Sequence, residues 1–507
     1  MTFKSLKLPL IFFIILFFTF FNLSCKGKDI TQRHTERLRI SPLNPHLLET
    51  VSGVPMFLNN YTVWSLISNS TREDIAELLI ICKTRKFNMI SAVIPPFFEG
   101  KHDSTVYDVP PFVTDSAGVP DPAKPVITSG NDPDIPGQYD CWDHIDYIID
   151  LAAENGIYIM LLPTWGSWVS GGYDGDLSRE KIIFNKKNAY QYGLWLGQRY
   201  GKKENLLWML GGDRSAIYER KEGLYDYREI WRAMAEGLAD GTNGIDQQDG
   251  QANYSNLLIS FHPRKWAPNS SAWFHNDQWL AFNSIQDTPY DQVTSLPHDY
   301  NLKPFKPIWL FEGRYEGRSS AWGIRYQAYQ TVFAGGFGNT YGSGNYCFPS
   351  NWKKLIKLPG AEQMAYLYNI NREIWTDAQF LERTPDQKLI LGDKGNTYGN
   401  GQYDLSGKIL KNPGYSDRIT AMRGAKGKWA LVYTANGREI TLNLSRLYKG
   451  KLNAYWFNPR NGKWRVKDKE YIKPQPFLNG LITGSGNHIF TPPGSPGPEN
   501  DWVLVLK

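Results

Sequence analysis

Cysteine is scarce in this chain, with four in 507 residues. Cys82, Cys141 and Cys347 are widely spaced and Cys25 ends a leader, so neither a disulfide framework nor a thiolate metal site is indicated, although one isolated bridge stays open. Histidine is nearly as sparse, at eight, and no His-x-x-x-His pattern or acidic cluster has ligand spacing. The expectation is therefore no metal and no cofactor. Charge of one sign is also short: the net charge of +6 is small for this length, no block of Lys or Arg stands out beyond the leader, and no nucleic-acid partner is implied.

The leader is the first feature that is present. Lys4 and Lys7 precede an apolar run from Leu8 to Leu23 that is too short, and too soon followed by polar sequence, to read as a membrane span. It reads as a secretory signal ending at Leu23-Ser24-Cys25. A small residue before Cys resembles a bacterial lipoprotein cleavage site with a lipid on Cys25, while Asn22, where that pattern prefers Leu, leaves an ordinary secreted form open. A lipid anchor on Cys25 is then the one membrane contact expected, and residues 26–46 read as a polar spacer.

Aromatic residues are abundant, at 14% with 18 Trp, alongside 46 Gly and 31 Pro. Such a composition suits clefts that stack sugar rings and equally suits large cores. The length calls for two domains, since single cores rarely exceed roughly 250–300 residues.

From residue 47 to about 375 apolar strand-like runs alternate with helical patterns. Pro55–Leu58, Met89–Ile94, Ile157–Leu162, Leu206–Leu210, Leu257–Phe261, Leu280–Ile285, Ile308–Phe311 and Phe337–Tyr341 give eight candidate strands, with residues 59–64 as a loop after the first. Ser70-Thr71-Arg72-Glu73 reads as a capping box for the helix behind it. Eight alternations predict a (β/α)₈ barrel. A Pro-, Asp- and Gly-rich stretch running to Gln138 leaves a strand's C-terminal end and reads as a cleft wall. Beyond residue 376 short runs such as Leu389–Leu391, Trp429–Tyr433, Glu439–Leu444, Leu452–Phe457 and Trp502–Leu506 are separated by turn signals, which predicts a small all-β sandwich over 376–507.

Two strand ends carry acids. Asn205 to Leu210 runs into Gly211-Gly212-Asp213-Arg214, and Lys306 to Phe311 runs into Glu312-Gly313-Arg314-Tyr315-Glu316. In a parallel barrel both edges open on the face that collects catalytic groups, so Asp213 and Glu312 are the expected catalytic pair. Two carboxyls across one sugar can protonate a leaving oxygen and meet the developing charge at the anomeric carbon. Arg314 is placed either to keep a carboxylate ionised or to turn away, and Arg214 would oppose a raised pKa at Asp213 if it turned inward. Trp165, His262, Gln286 and Tyr341 also fall at strand ends, where each contacts substrate hydroxyls or packs, and Trp165 with Trp168 forms either a sugar platform or a cap on the barrel. Glu316 is a rival of Glu312 whose position suits a substrate hydroxyl or a neighbouring Arg.

These motifs resemble a known family. Trp64, Lys86 to Ile90, Asp146 to Ala152, Arg199-Tyr200, Asn205 to Arg214, Phe261-His262-Pro263, Glu312 with Tyr315-Glu316, and Thr340-Tyr341-Gly342 are similar to the apiosidase-like catalytic domains of glycoside hydrolase family 140. Tyr455 to Arg460 and Trp502-Val503-Leu504 resemble the small C-terminal domain, named for collagen binding, that follows it. The resemblance implies an exported hydrolase of pectic polysaccharides or oligosaccharides, cleaving apiosyl linkages with retention through an Asp acid/base and a Glu nucleophile, at Asp213 and Glu312. This sequence departs from the pattern at Tyr61, where the family carries Asp, and at Gln286, Asn339 and Ser343, where it carries His-bearing ends. The competing expectation is a non-catalytic, glycan-binding surface lipoprotein on an inactive barrel; possession of both carboxylates favours catalysis.

Overall fold

A computed structural model describes residues 35–96, 104–172, 182–220, 223–265, 269–286, 295–395, 418–497 and 499–507. The expected leader and Cys25 lie outside the described residues. No helix among the described residues is long and apolar enough to cross a membrane.

Eight parallel strands form the barrel: Leu58–Thr62, Met89–Val93, Tyr158–Leu162, Leu206–Gly211, Ile259–His262, Asn283–Gln286, Ile308–Glu312 and Gly338–Ser343. The first five pair in sequence and the eighth pairs with the first, while the sixth pairs with the seventh. Single backbone hydrogen bonds join these groups at the two seams, Ala281 N–H to the Ile259 carbonyl at 2.8 Å and Phe337 N–H to the Ile308 carbonyl at 3.2 Å. The expected (β/α)₈ barrel is therefore present.

The first strand is displaced from its expected position. Pro55–Met56 instead joins Leu48–Thr50 and Leu38–Ile40 in a small antiparallel sheet, so part of the expected spacer is ordered structure. The barrel strand is Leu58–Thr62, fully buried despite two asparagines. Those side-chain amides are tolerated because they find partners: Ser91 Oγ donates to Asn60 Oδ1 at 3.0 Å, Asn339 Nδ2 to Asn59 Oδ1 at 3.3 Å, and Asn59 Nδ2 to the Lys86 carbonyl at 3.1 Å. Hydrophobic patterning cannot detect a strand whose polar groups satisfy one another. The capping box sits one residue later than expected, with Thr71 and Asp74 exchanging side-chain-to-backbone hydrogen bonds at 3.2 Å each way.

The C-terminal region is built on one large antiparallel sheet whose central strands are Ile419–Gly424, Ala430–Thr434, Trp502–Leu506 and Gly450–Asn458, with Ile440–Asn443 and Asn487–Phe490 forming a second, two-stranded layer. Leu389–Leu391 is not a strand; Gln387–Leu389 is a short 3₁₀ turn and Ile390 makes a single bridge to Leu442. The continuous apolar run Trp502–Leu506 follows from burial on both faces. Trp502, Leu504 and Leu506 face the two-stranded layer with Ile440, Leu442 and Phe490, whereas Val503 and Val505, with Leu431 and Tyr433, join the core shared with the barrel.

The barrel helix Ala321–Phe333 is the meeting point. Every residue from Trp322 to Phe333 is buried, as expected of a helix covered on all sides. Tyr329 stacks on Tyr433 with centroids 4.8 Å apart, Trp322 Nε1 donates to the Ala435 carbonyl at 2.8 Å, and Arg325 grips both Asp501 oxygens at 2.8 Å each. Gln363 Oε1 takes a third Arg325 donor at 2.8 Å. A buried, bidentate pair is costly to break because the survivor is left as a lone charge. Asp501→Ala is expected to destabilise the protein by about 3–5 kcal/mol in urea unfolding, as a loss of one cooperative transition; an unchanged midpoint would show that the sheet is only loosely docked.

Candidate active site

The fourth strand ends in a turn that only its sequence permits. Gly211, Gly212 and Asp213 have successive φ of 84°, 116° and 54°, all left-handed. A Cβ on Gly211 would collide with the His262 carbonyl oxygen, and one on Gly212 would lie 2.9 Å from Trp165 Cα and 2.8 Å from Gly166 N. The two glycines let the chain turn tightly against the third and fifth strand ends, and Asp is one of the few non-glycine residues that accept the third position. Asp213 is thereby carried into the barrel mouth, where its Oδ1 accepts from Lys265 N–H at 3.3 Å.

Glu312 ends the seventh strand and is enclosed by donors. Tyr315 Oη donates to Oε1 at 2.6 Å and is itself fixed by Trp64 Nε1 at 3.0 Å. Gln286 Nε2 donates to Oε2 at 3.1 Å, and His262 Nε2 lies 3.0 Å from the same oxygen without the alignment of a hydrogen bond. A register shift puts Gln286 there: Ile285 pairs with Leu310, but Gln286 pairs with Glu312, one residue being skipped on the seventh strand. Behind the carboxylate, Trp64, Trp165, His262 and Phe311 pack ring against ring at centroid distances of 5.0–5.8 Å.

The two acids have divergent surroundings. Burial, followed by the negative charge of Glu312, pushes the Asp213 carboxyl up to about 8. Arg214 does turn inward and is fully buried, but its Nη1 is 4.0 Å from Asp213 Oδ2, and its donors serve the Gly171 and Asp213 carbonyls at 2.9 Å each. Its charge, the Lys265 N–H and the nearby Gln286 amide therefore only moderate the rise. Burial and Glu312 also hold the Tyr315 hydroxyl well above the usual phenol range, so it stays a donor. A proton-bearing carboxyl beside a donor-held carboxylate can protonate one oxygen of a bound molecule while presenting a nucleophile to the adjoining carbon.

The remaining expected residues divide. His262 and Gln286 reach the Glu312 carboxylate, and Trp165 forms part of the wall as a nearly fully buried ring. Glu316 and Tyr341 hold each other: Tyr341 Oη donates to Glu316 Oε2 at 2.6 Å, and Gly360 N–H, in the first turn of the helix Pro359–Tyr368, donates to Oε1 at 2.8 Å. Arg314 is anchored through its backbone N–H, which donates to Gln327 Oε1 at 2.7 Å. Tyr61 points into the barrel core, between Phe87 and Tyr341, and accepts from Asn345 Nδ2 at 2.6 Å. Tyr315 and Trp64 were not among the expected site residues; the signal that could have found them is that both lie in the motifs that carry the family resemblance. Among the described residues no group of three or more His, Cys, Asp or Glu side chains could hold a metal ion, and the three cysteines are free.

Residues 43–376 match the model of the family described as "Apiosidase-like, catalytic domain", and residues 408–507 match "Putative collagen-binding domain of a collagenase". No curated protein matches the chain. Among solved structures, it is similar to one described as a glycoside hydrolase family 5 protein from Bacteroides vulgatus ATCC 8482, with 26% identity, coverage of 93% of both chains and a TM-score of 0.67. A second, described as "Glycoside hydrolase", has 27% identity, coverage of 93% of this chain and 96% of that one, and a TM-score of 0.67.

The raised Asp213 pKa fixes the sign of a stability effect. Between its unfolded value near ~4 and about 8, the folded protein keeps a proton that the unfolded chain has lost, so wild type loses stability as pH rises through that window. Asp213→Asn has no such penalty. Its advantage in urea unfolding is expected to grow to the order of a few kcal/mol between about pH 4 and pH 8 and then level off. A difference independent of pH would contradict the assignment.

Proposed function

Because the chain belongs to the apiosidase-like catalytic-domain family and is a glycoside hydrolase, we propose that it cleaves apiosyl linkages of pectic glycans with retention, using Glu312 as nucleophile and Asp213 as acid/base. The observation that supports the mechanistic part is that burial and the Glu312 charge hold a proton on Asp213 at the barrel mouth where Tyr315 and Gln286 donate to Glu312. Retention is supported by the sequence motifs that resemble that family, and it calls for carboxyls about 5–5.5 Å apart.

In the first step a Glu312 oxygen attacks the anomeric carbon as the glycosidic C–O bond breaks, and Asp213 gives its proton to the departing oxygen. Tyr315, Gln286 and the buried ring wall hold Glu312 so that its free lone pair faces the sugar. In the second step Asp213, now ionised, takes a proton from water, which attacks the same carbon and releases Glu312. Each carboxyl thus ends in its starting state. Apiose as the sugar is supported by the family's description, and the pectic setting by the sequence motifs that resemble that family.

Incubation with apiose-bearing pectic oligosaccharides tests the reading. Wild type is expected to release apiose with the anomeric configuration of the substrate in the first-formed product by NMR, and Asp213→Ala or Glu312→Ala to lower the rate ~10²–10⁴-fold. Equal rates in all three proteins, or an inverted first product, would overturn it.

A further inference from the structure

We propose that Trp64 is a positioning residue: its indole N–H commits the single phenolic proton of Tyr315 to Glu312, and so holds the nucleophile from across the barrel mouth. This rests on the reading of Glu312 as the nucleophile. Trp64 is 2% exposed and lies just past the first strand, Leu58–Thr62, whereas Tyr315 follows the seventh. Their hydrogen bond reaches over the eighth strand, which pairs with the first on one side and with Tyr315–Glu316 on the other.

Donor chemistry fixes the direction of the chain. An indole N–H can only donate, an ionised carboxylate can only accept, and a phenol has one proton and spare lone pairs. Trp64 Nε1 is 3.0 Å from Tyr315 Oη, and that oxygen is 2.6 Å from Glu312 Oε1. One arrangement satisfies all three groups: Trp64 donates to Tyr315, and Tyr315 donates to Glu312. Turning the hydroxyl proton toward the indole would set proton against proton. A phenol oxygen that accepts a hydrogen bond also becomes a stronger donor, so the indole tightens a bond it does not itself make.

Trp64 is in turn held on several sides. Its carbonyl accepts from Val93 N–H at 3.0 Å, which ties it to the second strand, and the next residue, Ser65, donates its N–H to the Tyr346 carbonyl at 3.0 Å, just past the eighth. Around the indole stand Trp165, His262 and Phe311 at centroid distances of 5.4–5.8 Å, while Tyr346 packs edge-on against Tyr315 at 5.2 Å. Packing alone asks only for a large apolar ring. The N–H aimed at the phenol that holds Glu312 is the part that packing leaves unexplained.

Two measurements on the full-length protein test this, both using 3-benzothienylalanine at position 64, where sulfur takes the place of the N–H in a ring pair of the same shape. With ¹⁵N-labelled tryptophan, the Trp64 indole resonance, assigned from its loss in that variant, is expected to move upfield in both Tyr315→Phe and Glu312→Gln, the second because removing the carboxylate charge weakens the pull on the phenol. An indole proton unmoved in both variants overturns the proposal, whether or not the protein hydrolyses any glycan. In hydrolysis of apiose-bearing oligosaccharides, the benzothienyl variant is expected to lose roughly 10-fold in kcat with KM within about twofold of wild type. Tyr315→Phe is expected to cost more, and the benzothienyl residue added to it nothing further, because the indole acts through the phenol. Wild-type kcat in the benzothienyl variant, or an additive loss in the double variant, also overturns the proposal. An indole resonance that moves as stated in a protein that releases no apiose counts against the apiosyl reading and supports the chain from Trp64 to Glu312.

Discussion

Two carboxyl groups share a buried mouth, and a dry site tolerates one negative charge there far better than two. That repulsion, added to burial, is what keeps the proton on Asp213, and most of the surrounding structure makes it possible. The Gly211-Gly212 turn delivers Asp213 against the fifth strand, the ring wall of Trp64, Trp165, His262 and Phe311 excludes water, and Tyr315 with Gln286 supplies the donors that the second carboxylate needs. A wall of polar side chains would have screened the repulsion and left both acids ionised. The aromatic content of the chain is therefore spent partly on electrostatics, beyond filling the core.

The C-terminal sheet belongs to the same mechanical unit. Glu312 is followed by Gly313, where a Cβ would strike the Gln327 amide, and by Arg314, whose N–H is held by Gln327 Oε1. Gln327 lies on the helix Ala321–Phe333, and two residues earlier on that helix Arg325 is clamped by Asp501. The loop bearing Glu312 is thus seated on a helix that the barrel covers on one side and the sheet on the other. A module swinging on a linker would not bury Tyr433, Leu431, Val503 and Val505 in the barrel's own core.

The strands bearing the two acids were legible because apolar runs stop at glycine or at a charged residue, a signal that survives without tertiary knowledge. The barrel itself was legible from eight alternations of that kind. The first strand was not, since Asn59 and Asn60 are buried against Ser91, Asn88 and Asn339, partners far apart in sequence. Position left Tyr341 open to substrate or packing and Glu316 to a substrate hydroxyl or a neighbouring Arg; the chain turns so that Tyr315–Glu316 pairs with the eighth strand, which sends Tyr315 to Glu312 and Glu316 to Tyr341. The skipped residue beside Gln286 has no sequence mark, because it arises from how two strands fit in a closed ring.

The central claim is that Glu312 attacks carbon while Asp213 handles the proton, and azide rescue addresses both at once. With Asp213→Ala, azide added to a substrate bearing a good leaving group should restore turnover and yield a glycosyl azide of the substrate's configuration, because azide replaces water in attacking the Glu312 ester. With Glu312→Ala it should yield the opposite configuration, because azide attacks the sugar directly. The same configuration from both variants, or no azide product from either, would contradict the account.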